Sequence, residues 1–376
     1  MRRYYIIAGE ASGDLHGAGL IRALAEREPQ AAFRAWGGDR MEAAGATLVK
    51  HYRDLAFMGF VEVIKHLGTI LRNIRFAKED ILAFRPDVLI LIDYPGFNMR
   101  IAKWAKEQGI RVVYYISPQI WAWKEGRVHA LRRDVDQMLV ILPFEKPFYQ
   151  KHGMEVDYVG HPLIQTVAAQ QAQPVDPSLT FDKPVIALLP GSRAQEIEQK
   201  LPRMLSVVKH FPQYQFVVAA APAQPVSLYE SLTSELPVQI VSGKTYPLLQ
   251  IAQAALVTSG TATLETALFG VPQIVCYRGN PISYQLAKRL IKVKYISLVN
   301  LILDKPAVPE LIQDALNESN LTAHLKPLLS PESVQRQQML AEYRNLWTLL
   351  GSIPAAEEAA QLITDALPEP SKNTSL

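Results

Sequence analysis

Short apolar runs punctuate the chain at residues 4–8, 32–37, 88–92, 112–116, 137–142, 185–189, 215–219, 238–241, 255–258 and 273–277. Apolar and polar positions alternate little within them, the pattern of strands covered on both faces. Between them lie stretches with helical spacing of apolar residues, among them 17–28, 70–83, 101–107 and 263–268. This strand–helix rhythm predicts parallel sheets with right-handed crossovers, an α/β chain. The rhythm breaks once, at "QTVAAQQAQPVDPSLTFDK", residues 165–183. The expectation is therefore two doubly wound domains, residues 1–164 and 184–349, with 165–183 as linker. Only helical patterns follow Pro306. The last of them, within 350–367, is expected to pack back on the first domain, ahead of a disordered tail at 368–376. Ligands of doubly wound sheets bind beyond the C-terminal strand ends, so the two domains are expected to face an interdomain cleft.

Composition narrows this picture. At 376 residues there is room for two cores, and 49% hydrophobic with 20% charged residues is ordinary for a globular protein. A net charge of +3 gives no argument for nucleic acid as a partner. The single cysteine, Cys276, excludes an intrachain disulfide and a cysteine-cluster metal site. The apolar run after "MRR" is too short for a signal segment and reads as a first strand. No run approaches the roughly 18 apolar residues of a membrane span, so a cytoplasmic protein is expected, resting at most on a membrane surface.

The chemistry is sharpest in the second domain. In "VIALLPGSRAQEIEQ" a buried strand runs into Pro190, Gly191, Ser192 and Arg193, and a helix follows. Gly191 allows close backbone approach, Ser192 is placed to cap the helix, and Arg193 offers a fork of donors matched to phosphate. Helix N-terminal amides favour an anion. A Pro-Gly turn with a capping serine would account for this loop alone. A second loop, "TSGTATLETAL", repeats the arrangement with Ser259, Gly260 and Thr261, and Glu265 lies one turn in, where a carboxylate suits ribose hydroxyls. Two such loops point to a nucleoside diphosphate, and neither matches a P-loop.

In the first domain "IIAGEASGD" carries Glu10, Ser12 and Asp14 off a strand end, without a dinucleotide fingerprint. "VLILIDYPGFN" carries Asp93 at the end of a buried strand, where a carboxylate is costly without a task. Asn98 is expected to orient a sugar hydroxyl. His16 reads as a packed or surface histidine and not as a catalyst. "SPQIWAWKEGRVHALRRDVD" sets Trp121 and Trp123 beside basic residues, which reads either as an amphipathic helix with a packed tryptophan or as an interfacial surface. Core packing accounts for much of the apolar segment 55–84, and part of it, with Met58 and Phe60 at its start, is expected to face lipid. Asp134 and Asp136 precede their strand, so they read as a solvated turn and not as metal ligands.

Together "AGEASGDLHGA", "IDYPGFN", "SPQIWAWKEGRV", "LPFEKPFY", "VGHPL", "LPGSRAQEI", "TSGTATLETAL" and "AKRLIKVKYISLVNLI" resemble, in order over residues 5–345, the lipid-A-disaccharide synthase family. The resemblance implies two Rossmann-like domains of the GT-B type. It implies an inverting transfer without metal or other cofactor, joining UDP-2,3-diacylglucosamine to 2,3-diacylglucosamine 1-phosphate at the inner-membrane surface. By it, Arg193 meets the diphosphate, Ser259, Gly260 and Thr261 hold phosphate, Glu265 holds ribose, and Asn300 lies near the nucleotide. A base for the acceptor hydroxyl is required, with Asp93 first and Glu10 second. Some members carry another acid where this chain has Gly96. A UDP-sugar 2-epimerase and a non-enzymatic lipid-surface protein are the rival readings. A homodimer that exchanges the helical C-terminal segment is left open.

Overall fold

The unbroken apolar runs become the centres of two parallel sheets. The computed structural model describes residues 1–55, 67–280, 284 and 293–368. Met58 and Phe60, the first part of the expected lipid-facing segment and the tail after Pro368 lie outside them. The chain divides into two compact units, Met1–Pro162 with Ser352–Leu376, and Leu163–Gly351.

In the first unit the strands are β1 (Arg3–Ala8), β2 (Ala32–Gly37), β3 (Thr47–His51), β4 (Val88–Ile92), β5 (Val112–Tyr115), β6 (Gln137–Val140) and β7 (Asp157–Tyr158). Their order is β3-β2-β1-β4-β5-β6-β7, every pair parallel. The second unit has β8 (Val185–Leu189), β9 (Gln215–Ala220), β10 (Val238–Ser242), β11 (Ala252–Thr258), β12 (Gln273–Tyr277) and β13 (Glu310–Ile312), ordered β10-β9-β8-β11-β12-β13 and again all parallel. All five residues of β4 and of β8 are buried, as a central strand covered on both faces requires.

Three strands carry no signal in the sequence pattern, and all three are edges. β3 is only half covered, β7 has two residues and β13 three. Edge strands need little apolar character because one side is unpaired. β13 corrects the expectation that only helices follow Pro306. The expected linker is also corrected. Residues Leu163–Gln171 form a helix in the second unit, where Gln171 Nε2 donates to Leu268 O at 3.2 Å.

The Ala355–Asp365 helix returns to the first unit. Its Ala355, Ala359, Ala360 and Ile363 are buried, and Arg27 on the Ala11–Arg27 helix donates Nε to Thr364 Oγ1 at 2.9 Å. The Leu67–Phe84 helix buries Ile74, Ala77 and Ile81 but exposes Leu71, Phe76 and Leu82.

In each sheet the order reverses beside the first strand, between β1 and β4 and between β8 and β11. Connections there leave to opposite faces, so the loops at the C-terminal strand ends part and leave a crevice. In the first unit this crevice is tight. A Cβ on Gly9 would stand 2.3 Å from Tyr94 Cγ, inside the tyrosine ring. Gly9→Ala should therefore push Tyr94 away and lower stability by about 1–3 kcal/mol, the usual cost of overpacking. Thermal or urea unfolding checks this, and an unchanged midpoint would contradict it.

Candidate active site

Glu10 follows β1 and Asp93 follows β4, so the reversal of strand order sets the two acids side by side. Burial pushes the Asp93 carboxyl up to about 6, and the Glu10 charge adds to the shift. The backbone that holds Asp93 is strained. Asp93 and Tyr94 take φ of 43° and 49°, and Ile116, at the end of β5, takes 66°. Each such residue costs on the order of 1–3 kcal/mol, and such strain gathers at working sites. Hydrogen bonds hold it in place. Asp93 O accepts from Asn98 Nδ2 at 2.9 Å and from the Tyr114 hydroxyl at 2.5 Å, and Asp93 N donates to Ile116 O at 3.2 Å. Gly96 is exposed, with nothing within 4 Å of an added Cβ, so the acid of other members would stand in open space here.

Asn98 differs from its expected role. It is fully buried, and its Nδ2 donates to the main-chain oxygens of Ile92, Asp93 and Ile7. It secures the strained turn. Ser12 is exposed on the first helical turn, while Asp14 turns inward and accepts from Gly38 N and Met41 N at 2.8 and 3.1 Å. His16 is pushed down to about 4 by burial and stays neutral.

The tryptophans separate. Trp121 is 7% exposed and donates Nε1 to Glu145 at 3.2 Å, so it is an anchor and not a lipid-facing group. Trp123 is 46% exposed. Glu145 also accepts from Leu142 N at 3.0 Å, and burial pushes its carboxyl up to about 7. The solvated-turn reading fits Asp136, which is exposed, but not Asp134. Asp134 is buried against the Arg133 guanidinium, and Asp136 accepts from Val112 N and Lys106. Both lie at the N-terminal end of β6, away from the acid pair. No cluster of metal-binding side chains occurs among the described residues.

In the second unit the equivalent reversal joins the Pro190–Arg193 loop to Ser259–Thr261. Thr258 Oγ1 donates to Pro190 O at 2.8 Å, tying the two strand ends together. Gly191 takes φ 118°, a conformation that favours glycine, and a Cβ there would meet Glu196 Oε2 at 2.6 Å. Ser192 does not cap the helix. Arg193 is the N-cap of Ala194–Leu205, and no side chain caps that helix or the Thr261–Leu268 helix behind Gly260. Two helix N-termini thus bring uncapped amides to one end of the sheet, a ready seat for an anion.

The Arg193 side chain is 58% exposed, with Nη1 3.6 Å from Glu196 Oε1. Lys200, one helical turn beyond Glu196, is 2% exposed with Nζ 3.9 Å from the same carboxylate oxygen. Burial pushes this ammonium below its ordinary value. Sequence reading missed Lys200. Its spacing of three and then four residues through Glu196 from Arg193 is the signal that would have found it.

Ser259 is half-buried and donates Oγ to Ile296 O at 2.8 Å. Glu265 accepts from the Tyr246 hydroxyl at 2.7 Å, and burial raises its carboxyl above the usual range. Tyr246 was also missed; only the fold brings residues 246 and 265 together. Asn300 again serves the backbone. Its amide donates to Val308 O and Glu310, both at 2.9 Å, and accepts from Val308 N at 2.9 Å. Glu310 in turn accepts from Ile296 N and Ser297 N, so Asn300 supports the turn on which Ser259 rests.

Comparison with known proteins matches this geometry to a family. The family model described as lipid-A-disaccharide synthetase matches residues 4–363. The chain is 38% identical over 379 residues to the lipid-A-disaccharide synthase of Geobacter metallireducens, covering 97% of each. Among solved structures it resembles UDP-GlcNAc 2-epimerase from Neisseria meningitidis bound to UDP-GlcNAc, with a TM-score of 0.61, 13% identity, and 97% and 99% of the two chains covered. It resembles the kitacinnamycin glycotransferase similarly, at 0.63 and 15%, with the same coverage. Those likenesses establish two Rossmann-like units of the GT-B type and do not separate transfer from epimerisation. The sequence match does, and the chain belongs to the lipid-A-disaccharide synthase family of glycosyltransferases.

Proposed function

We propose that the chain joins UDP-2,3-diacylglucosamine to 2,3-diacylglucosamine 1-phosphate, giving the β-1′,6-linked disaccharide 1-phosphate and UDP. The observation that carries this reading is the pairing of functions with the two reversals of strand order. One presents Arg193 and two uncapped helix ends, and the other presents Asp93 beside Glu10.

The chemistry follows from those groups. Arg193, with the amides behind Gly191 and Gly260, takes the diphosphate, and Glu265, oriented by Tyr246, takes the ribose. As the acceptor 6-hydroxyl forms its bond to the anomeric carbon, the bond from that carbon to phosphate breaks and its electron pair leaves with UDP. Arg193 stabilises the growing charge. Asp93, ionised, accepts the hydroxyl proton, and the nearby Glu10 charge raises its affinity for that proton. Asn98 and Asn300 position the two loops. The reaction draws on no metal.

Acylated substrates reside in a bilayer, and no helix among the described residues is long and apolar enough to cross one. The exposed Leu71, Phe76 and Leu82, with Arg72 and Arg75 on the same helix, suit attachment to the cytoplasmic surface of the inner membrane.

With purified protein and both acylated substrates, disaccharide should form equally with and without EDTA; no disaccharide in either arm would overturn the reading. Arg193→Ala should lower kcat by about 10²–10³-fold, the usual loss of a charge-stabilising donor; full activity would remove Arg193 from the reaction. The rate should fall as pH drops through about 6, where Asp93 takes up a proton and can no longer act as base. Asp93→Asn should abolish the reaction at every pH. An active Asp93→Asn enzyme with the same acid limb would transfer the role to Glu10.

A further inference from the structure

Lys124 and Arg127 converge on one indole. Lys124 Nζ lies 4.0 Å, and Arg127 Cζ 5.8 Å, from the Trp123 ring centroid. The ring face attracts both cations, but they repel each other. Neither forms an ion pair with a carboxylate among the described residues. The Lys124 ammonium is held below its ordinary value, by partial burial first and by Arg127 second. Two converging cations with no carboxylate partner among the described residues form an arrangement that a multiply charged anion completes. A phosphate monoester, with charge near −2 and three acceptor oxygens, suits an ammonium beside a guanidinium fork.

The place of this pair connects it to the acids. Lys124 and Arg127 follow β5, whose end lies beside that of β4, with Ile92 paired to Tyr115. Arg127 is close enough to the Tyr114 hydroxyl to favour its ionised form against the effect of burial. That hydroxyl donates to Asp93 O. The segment is also held from below. The Ile120–Trp123 helix buries Ile120 and Trp121, and Trp121 is clamped between Glu145 and the edge-on ring of Phe144 at 4.9 Å. Trp123, Lys124 and Arg127 are thus presented from a fixed support, in the segment that follows the strand next to the one that Asp93 follows.

We propose that Trp123, Lys124 and Arg127 form an anion subsite that binds the phosphate of the acceptor and so selects a phosphorylated glucosamine over an unphosphorylated one. The proposal rests on the reading of the first unit as the acceptor side. The phosphate headgroup of a bilayer lipid has the same chemistry, and the test separates the two sources.

Short-chain, water-soluble acceptors with and without the 1-phosphate are compared at fixed donor in the absence of any bilayer. Wild type should prefer the phosphorylated acceptor by about tenfold or more in kcat/KM, the scale of one charge-assisted hydrogen bond. In Lys124→Gln and Arg127→Gln this ratio should fall toward one, with the loss in KM for the phosphorylated acceptor and not in KM for the donor. Lys124→Arg should retain the preference, which a merely structural fault would not allow. In a second arm, glucosamine 1-phosphate is titrated into the full-length protein by calorimetry. Wild type should bind it, and the two glutamine variants should bind at least several-fold more weakly. This arm needs no turnover, so it stands even if the assignments of Asp93 and Arg193 fail. In a third arm, flotation with phosphatidylglycerol vesicles should not distinguish the variants from wild type. Variants that keep the acceptor preference but lose vesicle binding would give the cations to the membrane surface and overturn the proposal. A wild type with no preference between the acceptors would overturn it as well.

Discussion

In a twisted parallel sheet, neighbouring strand ends are crowded by the helices that follow them, except where the strand order reverses. There, successive crossovers leave to opposite faces and the loops part. This chain makes that reversal twice, between β1 and β4 and between β8 and β11. Each groups chemistry from residues far apart in sequence: Glu10 with Asp93, and Arg193 with Ser259. The second reversal carries backbone amides and a guanidinium, the first a pair of carboxylates. On the proposed reading, that difference in charge suits one to phosphate and the other to supplying a base.

Much of the remaining structure keeps those groups in place. Asn98 and Tyr114 hold the left-handed turn at Asp93. Glu310, Asn300 and the 296–297 turn support Ser259, and Tyr246 orients Glu265. Several of these supporting groups are polar and deeply buried, where a side chain that lost its partner would carry the full cost of desolvation. Their substitution should therefore affect the site by displacing loops.

The sequence was legible where a single physical demand dominates. Central strands must be apolar on both faces, so β4 and β8 stand out as "VLILI" and "VIALL". A carboxylate such as Asp93, placed straight after such a run, conflicts with its surroundings and draws attention for that reason. The edge strands β3, β7 and β13 face weaker demands and leave no pattern. Asn98 reads as a sugar contact because the position of an amide does not tell a substrate hydroxyl from a main-chain carbonyl. Trp121 and Trp123 look alike in sequence, but Glu145, more than twenty residues away, is what draws one of them inward. Tyr246 and Glu145 become visible only when the fold supplies their partners.

The central claim is that the Gly191–Arg193 and Ser259–Thr261 loops together receive the nucleotide diphosphate. Hydrogen–deuterium exchange on the full chain, with and without UDP, tests it most directly. Amides of residues 191–196 and 259–263 should gain protection together, with no comparable change at residues 9–14. Protection confined to the first unit, or gained by one of the two loops without the other, would contradict the account.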